Sequence, residues 1–118
     1  MSKDTSQSNY RRGIMSLVLL SLLETEDMYG YQMVQEIGQI SDGRLTLQEG
    51  SLYPVLYRLQ EAGYISDYRV KVGKRMTRVY YHIEPSGEAF LKALAEEYTA
   101  VTDGVFRILR GDADEHAE

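Results

Sequence analysis

Cysteine and tryptophan are absent from this 118-residue chain, proline and phenylalanine occur twice each, and no hydrophobic run is long. Each absence removes a class of protein. Without cysteine there is no disulfide, no thiolate nucleophile and no cysteine-held metal, and a reducing compartment is permitted. The most apolar run, Ile14 to Leu23, is broken by Ser16 and Ser21 and falls short of the roughly 20 residues that cross a bilayer. The opening MSKDTSQSNY has no signal-peptide pattern, so the expected location is the cytoplasm, with no membrane partner. Two prolines cannot make a proline-rich linker, and one domain is expected at this length. No nucleophile and base pairing, glycine-rich phosphate loop or paired-carboxylate motif is recognisable. The two histidines, His82 and His116, lack spaced partners. Catalysis, a metal and a cofactor are therefore not expected.

Ten tyrosines and an uneven charge are what the chain does have. The net charge of −5 argues against a nucleic-acid partner, because phosphate binding needs a basic surface, but its distribution reverses that. Residues 1–83 hold ten Lys and Arg against nine Asp and Glu, a balance of +1; residues 84–118 hold three against nine, a balance of −6. Arg69, Lys71, Lys74, Arg75 and Arg78 lie between Tyr68 and Ile83 with no acid among them.

Hydrophobic periodicity orders the elements. Residues 1–10 are polar and expected to be disordered. Arg11 to Leu23 predicts a first helix, apolar around most of its circumference and so buried on more than one side. Glu24 to Met28 reads as a polar turn, and Tyr29 to Ile40 as a second helix with Met33, Val34, Ile37 and Ile40 in register. Ser41, Asp42 and Gly43 stop it. The third helix brings Leu52, Val55, Leu56 and Leu59 onto one face, leaving Tyr53, Pro54, Tyr57, Arg58 and Glu61 on the other. Pro54 has no N–H for an interior turn, so a loose first turn is expected before Ser51, with a regular helix from there to Ala62 and Gly63 as its left-handed stop.

The period then becomes two. Tyr64, Tyr68, Val70 and Val72 share one side, Asp67, Arg69 and Lys71 the other; after a turn at Gly73, Lys74, Arg75 and Met76, the residues Thr77, Val79, Tyr81 and Ile83 alternate on the way back. Pro85 opens a last helix to about Leu109, in which Leu91, Leu94, Tyr98, Val101, Val105 and Ile108 are spaced 3, 4, 3, 4, 3. That seam suits packing against another helix, here of a second copy. Residues 111–118 read as an unstructured acidic tail. The expected fold is mainly α with a small β-hairpin: a winged helix-turn-helix domain over 11–84 and a long C-terminal dimerisation helix over 85–110.

The third helix carries a face with two tyrosines, small residues and Arg58 where a solvated helix would carry Lys and Glu. Tyr53 and Tyr57 either cover the edge of the core or meet a partner. In a helix-turn-helix followed by a basic hairpin, Gln48, Ser51, Tyr53, Tyr57 and Arg58 are the candidate contacts to double-stranded DNA, and Lys74 and Arg75 those of the wing. The alternative is a winged-helix module that uses the tyrosine face for a protein and never binds duplex.

Gly13 with the Leu-rich helix, Tyr29-Gly30-Tyr31, Gly50-Ser51-Leu52-Tyr53-Pro54 with Leu56, Arg58 and Leu59, Gly63-Tyr64-Ile65, and Tyr81-His82-Ile83 with Gly87 together resemble the PadR family of transcriptional regulators in its short form. The resemblance implies a homodimer with swapped terminal-helix contacts and repression at a promoter that an effector relieves; two half-sites related by the dimer's twofold axis then predict a palindromic operator. The effector, a small aromatic compound to try first, is expected near Met15, Leu19, Tyr98 and Val101. The chain departs from the family in having Glu84 where Thr is usual after the last strand, and no tryptophan in the last helix.

Overall fold

The computed structural model describes residues 2–111, with side chains from residue 13 onward. Its elements are α1 (Ser2–Thr25), β1 (Met28–Tyr29), α2 (Gly30–Ile40), α3 (Glu49–Glu61), β2 (Ile65–Val72), β3 (Met76–Ile83) and α4 (Pro85–Arg110). They form four helices and one antiparallel sheet in the order β1-β3-β2. The fold is the expected one, mainly helical with a small hairpin.

Apolar positions in all four helices and at the base of the hairpin converge on one core. Met15, Leu19, Leu20, Leu22 and Leu23 of α1 meet Met33 and Ile37 of α2, Leu52, Val55, Leu56 and Leu59 of α3, Ile65, Tyr81 and Ile83 of the sheet, and Leu91 of α4. Leu19, Leu20, Leu52 and Leu56 are fully buried, each stabilising the fold by roughly 1.5–3 kcal/mol through apolar area removed from water. No buried polar side chain lacks a partner among the described residues. Ile14, Leu17 and Val18 of α1 are half-buried and pack against the margin of this core.

Three boundaries differ from the sequence reading. The α1 backbone is helical from Ser2, where residues 1–10 were expected to be disordered; a helix nucleated by the Leu-rich segment propagates backward one bond per residue, without a new nucleus. Met28 and Tyr29 are a short strand rather than the end of a turn and the start of a helix, pairing with Tyr81 and Tyr80. Two residues are too few for an alternating pattern to show. Finally, α3 begins at Glu49, so Pro54 sits inside it rather than in its first turn. The Gly50 carbonyl receives no N–H from Pro54, and Gly50 is exposed, so water meets it. Ser51 N–H and Leu52 N–H both bond the Gln48 carbonyl, at 2.9 and 3.2 Å, so the first turn is closed and the loose turn expected before Ser51 does not occur. The acidic tail from residue 112 lies outside the described residues.

Both helix stops before the hairpin follow one pattern. At the end of α3, Tyr64 N–H bonds the Leu59 carbonyl at 3.0 Å and Gly63 N–H bonds that of Gln60 at 2.9 Å, with Gly63 at φ 81°. At the end of α2, Gly43 N–H bonds Gly38 and Asp42 N–H bonds Gln39, and the left-handed residue is Asp42 at φ 57°. The Ser41 hydroxyl then accepts Leu45 N–H at 2.9 Å, turning the chain toward α3.

The tyrosine carbonyl that follows Gly63 anchors α4. Glu84 N–H donates to the Tyr64 carbonyl at 2.9 Å, Ser86 donates to that of Gly63 at 2.7 Å, and the Tyr64 and Phe90 rings stack 4.2 Å apart. A Cβ on Gly87 would lie 2.1 Å from the Tyr64 carbonyl oxygen. Glu84 makes no side-chain cap; its carboxylate accepts the Ser66 hydroxyl instead. Because the atom facing Gly87 is backbone, Gly87→Ala must displace α4 or the start of β2. We expect a stability loss of about 2 kcal/mol or more in urea denaturation, and a loss under about 0.5 kcal/mol would contradict this packing.

Candidate nucleic-acid interface

The second helix of a helix-turn-helix has two sides with different tasks, and α3 divides its residues cleanly. Leu52, Val55, Leu56 and Leu59 are buried, whereas Gln48, Ser51, Tyr53, Tyr57 and Arg58 are all exposed, as are Lys74 and Arg75 at the hairpin tip. Every residue expected to touch DNA is therefore available at the surface.

The two tyrosines are not equivalent. Tyr53 leans toward α2: a Cβ on Gly30 would come within 2.6 Å of its hydroxyl and 3.2 Å of its ring. Its hydroxyl also donates to Glu49 at 3.3 Å, and burial, with the Glu49 charge, pushes its phenol up from the ordinary value. Tyr53 thus serves as cover for the core edge as well as surface. Tyr57 stands clear of the body at 63% exposure, and a hydrogen bond from its hydroxyl to Glu61, with that residue's charge, raises its phenol. Both keep their protons at neutral pH and can donate to a phosphate oxygen.

Strand register decides what else lies beside α3. Asp67 pairs with the buried Tyr81, Arg69 with Val79 and Lys71 with Thr77, so these residues share the core side of the sheet. Gln60 of α3 reaches Asp67 at 2.9 Å. Arg69 and Lys71 therefore continue the α3 side of the hairpin toward Lys74 and Arg75. The sequence reading did not include them among the DNA-facing residues, although their alternation with Tyr68 and Val70 separates them correctly. The missing signal was which side the core occupies, and Ile65, Tyr81 and Ile83 supply it.

The opposite side of the hairpin carries Ser66, Tyr68 and Val70 against His82, Tyr80 and Arg78. Tyr68 and Tyr80 stack at 5.8 Å, Tyr80 meets Tyr29 edge-on at 5.5 Å, and the Arg78 guanidinium lies 4.2 Å over the Tyr29 ring. His82 is not without partners, as its spacing suggested: its Nδ1 is 2.9 Å from Asp27 in the α1 to β1 turn.

The seam residues of α4 fall into two groups. Leu91 is buried in its own subunit's core and Leu94 is half-buried; Tyr98, Val101, Val105 and Ile108 are exposed, joined by Phe106 and Leu109. The residues expected around an effector are not brought together. Met15 and Leu19 are buried in the core, the latter at 0% exposure, while Tyr98 and Val101 stand on the outer part of α4. A groove of about 430 Å³ runs instead along the next face of α1, lined by Leu17, Val18, Ile37, Ile40, Leu91 and Ala95. An all-round apolar helix gives no sequence signal for which of its stripes faces the core. No group of three metal-ligating side chains occurs among the described residues, nor is any described helix long and apolar enough to cross a membrane.

The architecture is that of a winged helix-turn-helix protein. The chain belongs to the transcriptional regulator PadR-like family, whose profile matches residues 19–93. It is similar to a transcriptional regulator from Clostridium thermocellum, with 31% identity and a TM-score of 0.77 over 84% of this chain and 96% of that one. It is also 32% identical over 69 residues, 58% of this chain, to the transcriptional regulator YqjI of Escherichia coli K12, of which it spans 33%. Its fold is shared with Bacillus subtilis PadR in complex with operator DNA, at 20% identity and a TM-score of 0.64 over 68% of this chain and 45% of that one. The family consists of transcriptional regulators, not enzymes.

The contact between Gly30 and Tyr53 explains why two separate strings, Tyr29-Gly30-Tyr31 and Leu52-Tyr53-Pro54, occur together. Gly30→Ala should cost about 1–3 kcal/mol by pushing the Tyr53 ring aside. In Gly30→Ala/Tyr53→Ala the combined loss should be smaller than the sum of the single losses. Additive losses in thermal unfolding would show that the two do not meet.

Proposed function

We propose that the protein is a homodimeric, sequence-specific DNA-binding repressor, in which α3 enters the major groove and the β2 to β3 hairpin acts as a wing. One observation carries the reading: the exposed side of α3, with Gln48, Ser51, Tyr53, Tyr57 and Arg58, is continued by a hairpin surface holding Arg69, Lys71, Lys74 and Arg75. Gln48 and Ser51 sit at the N-terminal end of α3, where this class of protein reaches base edges, and Tyr57 and Arg58 suit phosphates. The operator complex known for Bacillus subtilis PadR supports the reading through the shared fold. A protein-only interaction module would not need the basic hairpin.

Binding to duplexes from the region upstream of its own coding sequence tests this. Tyr57→Ala should weaken binding with folding unchanged. Lys74→Ala/Arg75→Ala should lower the slope of log K against log salt by roughly 0.9 for each phosphate that is no longer neutralised, summed over both subunits. Salt-independent or absent binding to duplex, alongside capture of a protein, would favour the interaction module.

The dimer of this reading is made by α4. Its exposed stripe from Tyr98 to Ile108 continues beyond the core, where none of the described side chains covers it, and the groove beside α1 is apolar as well. Two recognition helices related by a twofold axis match half-sites about 34 Å apart, hence an imperfect palindrome. An effector in this reading would lie between the last helices and α1, with Tyr98 the one aromatic of the seam that has a polar end. Val101→Glu would place like charges at the twofold seam and cost several kcal/mol of association. Sedimentation should show a monomer with operator affinity abolished; a dimer with normal binding would overturn the arrangement.

A further inference from the structure

A wing can contact DNA usefully only if its direction is fixed, and little backbone holds this one. The hairpin pairs with the rest of the sheet through Met28 and Tyr29 alone; beyond Tyr80 its strands bond only to each other. From the level of Tyr68 to Lys74 is about 20 Å of strand, so a swing of about 10° moves the tip by about 3.5 Å, more than the range over which a hydrogen bond forms.

Besides the Gln60–Asp67 bond and the Arg78–Tyr29 contact, one side chain grips both wing strands at this joint. Asp27, in the turn between α1 and β1, accepts the Tyr68 hydroxyl on one carboxylate oxygen at 2.6 Å and meets His82 Nδ1 on the other at 2.9 Å. Tyr68 belongs to β2 and His82 to β3, so one carboxylate ties both wing strands to the end of α1. Asp27 itself is held by its neighbours: Met28 is buried, and Glu26 N–H bonds the Leu22 carbonyl of α1. Tyr68 also stacks on Tyr80, which meets Tyr29.

We propose that Asp27 is a positioning residue for DNA binding, which sets the direction of the wing, and so where Lys74 and Arg75 meet the duplex, by holding Tyr68 and His82 to α1. The inference rests on the DNA-binding reading given above.

Asp27, Glu84 and Glu88 are the charged groups that act on His82, and Ser66 is its cross-strand neighbour. The hydrogen bond to Asp27, assisted by these charges and opposed by slight burial, raises the imidazole above its ordinary value. At Asp27 burial raises the carboxyl, but the bonds from Tyr68 and His82 and the His82 charge outweigh it, and the net shift is downward. Asp27 is therefore ionised throughout the working range. The His82 cation strengthens the latch fully below about pH 6.5 and is lost as pH rises through the higher folded value.

Asp27→Asn, Tyr68→Phe and His82→Gln test this on a duplex selected by the wild-type protein from a random-sequence pool. Asp27→Asn removes a negative charge, which through electrostatics alone would tighten binding to DNA. Positioning requires the opposite: Asp27→Asn and Tyr68→Phe should bind about three- to tenfold more weakly, with an unchanged salt slope because the same phosphates are still neutralised. Wild-type affinity should fall as pH rises above the ordinary imidazole value of about 6.5, and that fall should vanish in both Asp27→Asn and His82→Gln. Tyr68→Phe keeps the ring stack, so it decides the matter if Asp27→Asn fails to fold. Equal or tighter binding by a folded Asp27→Asn, or wild-type affinity in Tyr68→Phe, would overturn the proposal. If the wild-type protein selects no duplex, the DNA-binding reading fails and this proposal falls with it; if it does, only the role of Asp27 is at issue.

Discussion

The backbone carbonyl of Tyr64 is the point on which the arrangement of the molecule depends. It lies just after the left-handed stop of α3, accepts the N–H of Glu84 and faces Gly87 at a distance no side chain would permit. One peptide thus joins the end of α3, the start of β2 and the first turn of α4. Gly63 is needed because the chain must turn with positive φ there, and Gly87 because helix and backbone touch. The stacking of Tyr64 on Phe90 closes the joint from outside. The direction of α4 relative to α3 is consequently set by atoms of the main chain, and surface substitutions elsewhere leave it alone.

The parts of the fold with long apolar repeats were legible in the sequence. The core face of α3, the left-handed stop at Gly63, the hairpin and the extent of α4 all follow from patterns of 3.6 or 2 residues. What remained hidden had physical causes. β1 is two residues long and exists because Tyr80 and Tyr81 offer it a ladder, an influence from far along the chain. The inward stripe of α1 was not marked because nearly every side of that helix is apolar, and Met15 and Leu19 lie on that stripe. Tyr53 and Tyr57 are alike in sequence, and only the space left by Gly30 separates their tasks. His82 had no partner at any recognisable spacing because Asp27 is 55 residues away.

The wing shows how one strand pair can hold opposite chemistries. Its α3 side collects cations, with Asp67 already engaged by Gln60. Its other side is aromatic, with Arg78 resting on Tyr29. Because neighbouring residues alternate, five basic residues in a short stretch of chain are shared between the two sides, and Arg78 is kept off the α3 side by register alone. A count of charges along the chain overstates what a duplex would meet.

In the dimer proposed above, the apolar stripe of α4 would make the protein's response to its own abundance steep. Where two chains must associate through Tyr98, Val101, Val105 and Ile108 before both recognition helices can engage, occupancy of a site depends on the second power of monomer concentration while the dimer is scarce. Doubling the amount of chain then raises the active species roughly fourfold. Regulated genes would be governed less by a gradual titration than by a threshold in expression, and the position of that threshold would be written in the outer turns of one helix.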